Sequence, residues 1–238
     1  MRHTVTQDSI TQTTTPPVTT VPDPANAVPL RRLVAVCLVL GVVLSLAWTL
    51  LQPPFPDGYD ARLAAIDGAG TGGAMSAFLF TVSQLPWLVA VVGIAWLAHP
   101  GSSRFAAAGG TLAVLGAFGH AVFGGAMLVT VLMARDAADR PVMAELLESI
   151  ESSPLLIPFM AAGLLGTALG LLLLGVALWR SRVVPRWVPL VLWAFLVVEF
   201  VGVNLSDYAT YVAGVCLLLS FGALAHRVWT DGPAATTP

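Results

Sequence analysis

Apolar residues run along this chain in six long blocks, and polar residues are confined to the intervals between them. The blocks are 33–51, 75–98, 105–133, 154–179, 187–205 and 208–229. An α-helix rises about 1.5 Å per residue, so roughly 20 apolar residues cross the hydrocarbon core of a bilayer. Each block comes close to that length or exceeds it. The third is long enough to tilt or to project beyond the hydrocarbon. The fifth and sixth are separated by little more than "LSD", which predicts a tight hairpin with Asp207 at the N-cap of the last helix. The pattern predicts an all-α fold: a polytopic transmembrane bundle of six spans.

The intervals have structure of their own. In "RPVMAELLESIE", Val142, Met143, Leu146, Leu147 and Ile150 recur at helical spacing, with Glu145, Glu148 and Glu151 on the other side and Pro141 suited to a first turn. This predicts an amphipathic helix over about 140–151, lying at one membrane interface or capping the bundle. "YDARLAAID" at 59–67 reads as a weaker version of it, or as a plain solvated connector. Residues 1–30 are rich in Thr and Pro and read as a disordered tail, as do 230–238. The membrane domain is then 31–229. The first block is too long for a signal-peptide core and no A-x-A site follows it, so it reads as a span.

Composition agrees with the pattern. Hydrophobic residues make up 57% of the chain and charged residues only 10%, against about 25% charged in soluble domains. The partner this implies is the lipid bilayer. No basic patch exists to serve nucleic acid. Lys is absent and all 11 basic residues are Arg. With the N-terminus in the cytoplasm, Arg2, Arg31, Arg32, Arg104, Arg180, Arg182, Arg186 and Arg227 face inward, and only Arg62, Arg135 and Arg140 face outward. The positive-inside rule therefore predicts both termini cytoplasmic, in a bacterial inner membrane. Cys37 and Cys216 lie within apolar blocks and predict neither a disulfide nor a metal site.

Small residues suggest how the spans pack. Gly109, Ala113, Ala117, Ala121 and Gly125 recur every four residues in the third block, and Ala162, Gly166 and Gly170 do so in the fourth. Such ridges let helix backbones approach closely. They predict that these two helices are central and meet each other, or that the ridge is a homodimer face. A weaker signal is repetition. "GIAWLAHPGSSR" from Gly93 and "GVALWRSRVVPR" from Gly175 share Gly, Ala two residues on and Arg eleven residues on. Either a parallel internal repeat or chance similarity accounts for this.

Polar residues inside the blocks are the candidates for function. His120 lies 16 residues beyond Arg104 and Glu199 lies 13 beyond Arg186, about 24 and 20 Å along helices running the same way. They should sit at similar depth in the outer half of the membrane. A charge there costs a few kcal/mol and usually has a partner, so a His120–Glu199 hydrogen bond or ion pair is expected. Asn204, and Gln84 with Ser83 before the helix-kinking Pro86, are further candidates for the same outer cavity. His99 and His226 read as interfacial residues. His120 has no second His at matched depth, so haem is not expected. No P-loop, dinucleotide fingerprint, H-E-x-x-H or G-x-S-x-G occurs, so neither cofactor nor metal is predicted.

The turn "WRSRVVPRW", 179–187, with Arg and Pro between Trp179 and Trp187, reads as a basic turn with aromatic interface anchors. On this turn, and over about residues 30–229, the chain resembles a group of small six-span membrane proteins of actinobacteria. The resemblance implies a fold and a compartment and supplies no activity to transfer. Three functional readings follow. The first is a non-enzymatic membrane protein binding a small apolar or lipid-like ligand, or a membrane partner, near His120 and Glu199. The second is a small transporter or an accessory subunit of one. The third is a membrane-embedded enzyme using Glu199 as a general acid on a prenyl-like substrate, for which Asp207 is the only nearby second acid.

Overall fold

A computed structural model describes residues 24–206 and 208–230. Asp207 and most of both stretches read as tails lie outside the described residues. Every element among the described residues is helical: α1 Pro24–Leu51, α2 Tyr59–Gly68, α3 Thr71–Ala134, α4 Arg140–Glu151, α5 Ile157–Ser181, α6 Trp187–Phe200 and α7 Ala209–Thr230, with a 3₁₀ turn at Gly202–Asn204. Five helical segments are long and apolar enough to cross a membrane. Their outward faces are apolar, as at Leu85, Leu132 and Leu165. This marks a membrane-embedded protein.

Some boundaries differ from the sequence reading: α5 starts at Ile157 and α6 ends at Phe200. Helix α1 starts at Pro24, so the last residues of the stretch read as tail, 24–30, are helical. Pro is well suited to a first turn, and the Ala residues that follow favour helix. The interval read as a turn between two blocks is a kink within α3, Thr71–Ala134, where two helices meet. Only Ser102, at φ −162° and ψ 56°, leaves helical geometry. That residue is enough to fold the helix back on itself. Phe80 and His120 are 40 positions apart (120 − 80), about 60 Å along a straight helix, yet their ring centroids are 5.8 Å apart. Helix α3 is therefore two antiparallel arms, 71–101 and 103–134. Pro100, which has no N–H to lose from the ladder, precedes the break.

The six arms form a closed ring. Helix α1 packs on α3 and α7, α7 on α6, α6 on α5, and α5 on α3. The small-residue ridges meet as the α3–α5 seam, though with a different register from the four-residue spacing. A Cβ added to Gly116 would lie 2.5 Å from the Thr167 nitrogen, and one on Gly170 would lie 2.5 Å from the Ala113 nitrogen. Gly119 meets Gly163 and the Phe159 carbonyl in the same way. The seam residues of the second arm are thus Gly109, Ala113, Gly116 and Gly119. Ala117 is buried, Ala121 is half-buried, and Gly125 faces open space. The cause is helical phase. Four residues turn a helix by about 400°, so a four-residue ridge drifts by about 40° per step and about 160° from 109 to 125. On α5, Gly163 takes the seam position while Ala162 is half-buried beside it.

The two ends of the ring are closed differently. At one end α2 and α4 form a cap. Leu63 and Leu147 are buried against Met133 and Ala134 at the end of the second α3 arm. Arg62 donates two hydrogen bonds to Glu151, at 2.9 and 3.0 Å, and Arg140 reaches Asp67 at 2.8 Å. At the other end Arg side chains sit on aromatic rings and helix C-termini. Arg186 lies over Trp179, Arg180 over Phe105 and Arg32 over Trp229, while Arg31 donates to the Val228 and Trp229 carbonyls. A cation at a helix C-terminus also meets the negative end of the helix dipole. The ring centre at this basic end is filled by Trp87 stacked on Phe221 at 5.0 Å, with Leu192 and Leu224 buried beside them. Cys37 and Cys216 are free thiols.

Candidate functional site

Between the filled basic end and the cap the ring encloses a cavity of about 430 Å³, and every one of the six arms contributes to its wall. Three residues singled out from the sequence line it: Gln84 from the first α3 arm, His120 from the second, and Glu199 from α6. Each arrives there for a local reason. Gln84 is one turn from Phe80, and its amide donates to the Phe80 carbonyl and to the Ser83 hydroxyl, both at 3.1 Å. His120 follows Gly119 on the seam, so its ring leaves the tight α3–α5 contact sideways into the ring centre, where its Cδ2 abuts Gly163. Glu199 stands at the last turn of α6, one residue before Phe200 ends the helix.

The expected His120–Glu199 bond is absent: no hydrogen bond or ion pair joins them. The polar partner of His120 is instead Thr167 on α5, whose Oγ1 is 3.4 Å from Nδ1. Its ring also meets the edge of Phe80. Glu199 makes no hydrogen bond or ion pair to any described residue. The reason is the ring order. His120 and Glu199 belong to arms that are not neighbours, with α5 between them, so similar depth does not bring them into contact. Asn204 is also displaced. It lies in the 3₁₀ turn after α6, exposed, with its amide donating to the Phe200 carbonyl at 3.3 Å, and it does not line the cavity. Asp207 is outside the described residues.

The wall contains groups the sequence reading passed over. Trp48 of α1 lines the cavity, and its indole Nε1 is buried with no hydrogen-bond partner. An orphaned buried donor costs about 1–3 kcal/mol. Trp87, Phe195 and Phe200 add aromatic surface, and Thr210 adds a hydroxyl from α7. A signal for Thr167 was present: it is the lone hydroxyl of an otherwise apolar and small-residue block, 157–178. Trp48 gave no such signal, since a Trp near a span end is ordinarily an interface anchor.

The cavity is not sealed around its circumference. Helices α5 and α6 are held together near the turn that joins them, where Trp193 packs on Gly175 and donates to the Leu172 carbonyl at 3.3 Å. Toward the cap the wall passes to Leu164 of α5 and to Val203, both exposed. Their exposure places an apolar rim on the outer surface of the ring. A second cavity, of about 70 Å³, lies beneath the cap, with Arg62 and Glu151 in its wall. No group of three or more metal-ligating side chains occurs among the described residues.

No family model, curated protein or solved structure matches the chain. The resemblance carried by 179–187 gains no support from these comparisons, and the functional reading rests on the cavity.

Proposed function

We propose that this is a membrane protein that binds a small lipid-like ligand in the central cavity. The observation that carries the reading is one apolar, aromatic-walled cavity onto which Gln84, His120 and Glu199 all open. Ligand sites are typically concave, mostly apolar and furnished with a few placed polar groups, with volumes of about 300–1,000 Å³. The apolar rim at Leu164 and Val203 offers entry from the hydrocarbon. In the same proposal α3 crosses the bilayer twice, making six spans. Both termini and the Arg-rich end face the cytoplasm of a bacterial inner membrane. The units α2–α3 and α4–α6 are a parallel duplication. A membrane-protein partner or a homodimer would add to this arrangement rather than replace it.

The test is retention. Protein extracted in a mild detergent is stripped of loosely held lipid, and what remains is identified by native mass spectrometry. The wild type should retain a discrete small molecule. Thr210→Trp, which fills the cavity from α7, should lose it while eluting and melting like the parent. Identical retained species in both proteins would refute the reading. Reporter fusions at residue 230 and in the α4 region test the topology separately.

The alternatives lack a comparable observation. An acid catalyst at Glu199 needs a second placed acid, and none lines the cavity among the described residues. A transport role needs a second state open on the basic side, which is packed here with Trp87, Phe221 and Leu224.

A further inference from the structure

We infer that the ligand class of this cavity is an amphipathic organic cation, with Glu199 as its counter-ion. The inference rests on the cavity being a ligand site and adds the sign of the ligand's charge. The charge inventory of the wall carries it. Among the described residues Glu199 is the acidic one there and no Arg lines the cavity, while Lys is absent from the chain. His120 is the only other titratable group facing the space among the described residues, and its ring is engaged by Thr167 and Phe80 rather than by the carboxylate.

A carboxylate in a wall of this kind is a strong and directional preference. Glu199 is half-buried, so its attraction for a cation exceeds that at an open surface, and so does its repulsion of an anion. A neutral amphiphile offers the carboxylate no counter-charge and suits only the protonated acid. The rest of the wall suits the same ligand. Trp48, Phe80, Trp87, Phe195 and Phe200 are contributed by three different arms around the space. Aromatic faces attract an ammonium or phosphonium centre while accommodating its apolar substituents. The apolar rim at Leu164 and Val203 fits a cation that reaches the site after partitioning into the bilayer.

Tetraphenylphosphonium and tetraphenylborate have the same shape and opposite charge, and they decide the matter. Radiolabelled tetraphenylphosphonium is titrated onto the full chain in nanodiscs of a zwitterionic lipid, with empty nanodiscs subtracted. One saturable site is expected, not displaced by tetraphenylborate. Glu199→Gln should weaken it by about tenfold or more, and Asn204→Ala, outside the cavity, should leave it unchanged. Equal binding of both ions to the wild type would overturn the inference without needing any variant to fold. Undiminished binding by a Glu199→Gln protein that melts like the parent would also overturn it. Loss of the retained ligand in Thr210→Trp, with no phosphonium binding to the wild type, would leave the cavity a ligand site and remove only the cation. Failure of both would remove the site as well.

Discussion

The α3–α5 seam makes a sharp quantitative prediction, because two glycines of one arm face opposite fates. Gly119→Ala places a methyl group against the Gly163 nitrogen and the Phe159 carbonyl. These are backbone atoms of a neighbouring helix, so no side chain can swing aside. Overpacking typically costs about 1–3 kcal/mol, and a backbone obstacle belongs at the top of that range. Alanine returns up to about 1 kcal/mol by restricting the unfolded chain and favouring helix. The net is a loss of about 2 kcal/mol. For chains of this size that corresponds to a fall of roughly 4–8 °C in Tm. Gly125→Ala, only six residues along, meets nothing within 4 Å and should keep only the gain, up to about 1 kcal/mol. The assay is fluorescence-detected size exclusion after heating in a mild detergent, with all three proteins run together. A Gly119→Ala protein as stable as Gly125→Ala would refute the seam register and the close approach that defines it.

Three further outcomes follow from the same geometry. A double-mutant cycle on His120→Ala and Glu199→Gln should show a coupling below about 0.5 kcal/mol in thermal stability, since no contact joins the two; a coupling above about 1 kcal/mol would establish one. Thr167→Ala should cost about 0.5–1 kcal/mol, the worth of one neutral hydrogen bond, and should shift the His120 ring resonances in a histidine-labelled NMR spectrum; unchanged resonances would remove the pairing. Arg62→Ala should destabilise the cap by about 1 kcal/mol, because it loses a two-bond ion pair to Glu151 and its packing on Phe55 and Tyr59. Arg140→Ala should cost less, since Asp67 is 42% exposed. Hydrogen exchange in 63–66 and 143–147 would read both, and equal protection loss in the two variants would contradict the ranking.

What was legible in the sequence follows from what periodicity encodes. Apolar length alone marks helices that can cross a membrane, because a bilayer requires it. Of the predicted face Val142, Met143, Leu146, Leu147 and Ile150, Leu147 and in part Met143 bury against Leu63 and the end of α3, while Val142 and Leu146 are exposed. Phase was less legible. A four-residue small ridge is a good local motif but drifts around a straight helix, so Gly116 and Gly119, not Ala121 and Gly125, meet α5. The α3 fold-back was readable as two blocks, and its tightness was not, since a single residue, Ser102, makes the break. The cavity was legible only in part. Depth along a span follows from counting residues, which put His120 and Glu199 on one level. Angular position around a ring does not follow from counting, so their lack of contact, and the arrival of Trp48 and Thr167, required the fold.

The same seam accounts for why a cavity exists beside Glu199 at all. Where Gly116 and Gly119 meet Gly163 and Gly166, two helices approach backbone to backbone and occupy little of the ring's circumference. The neighbouring contact, α5 with α6, is wider. There α6 ends at Phe200 and gives way to a 3₁₀ turn, and its hold on α5 is set lower down by the large Trp193 side chain lying on Gly175. Six arms closed by one thin seam and one wide, low-set contact leave their centre unfilled toward the cap, while Trp87 and Phe221 fill it toward the basic end. Glu199 stands on the wide side and His120 on the thin one. A carboxylate on the arm beyond α5, with α5 between it and the nearest imidazole, has no partner among the described residues. That is the physical reason its partner is to be sought in what enters the protein.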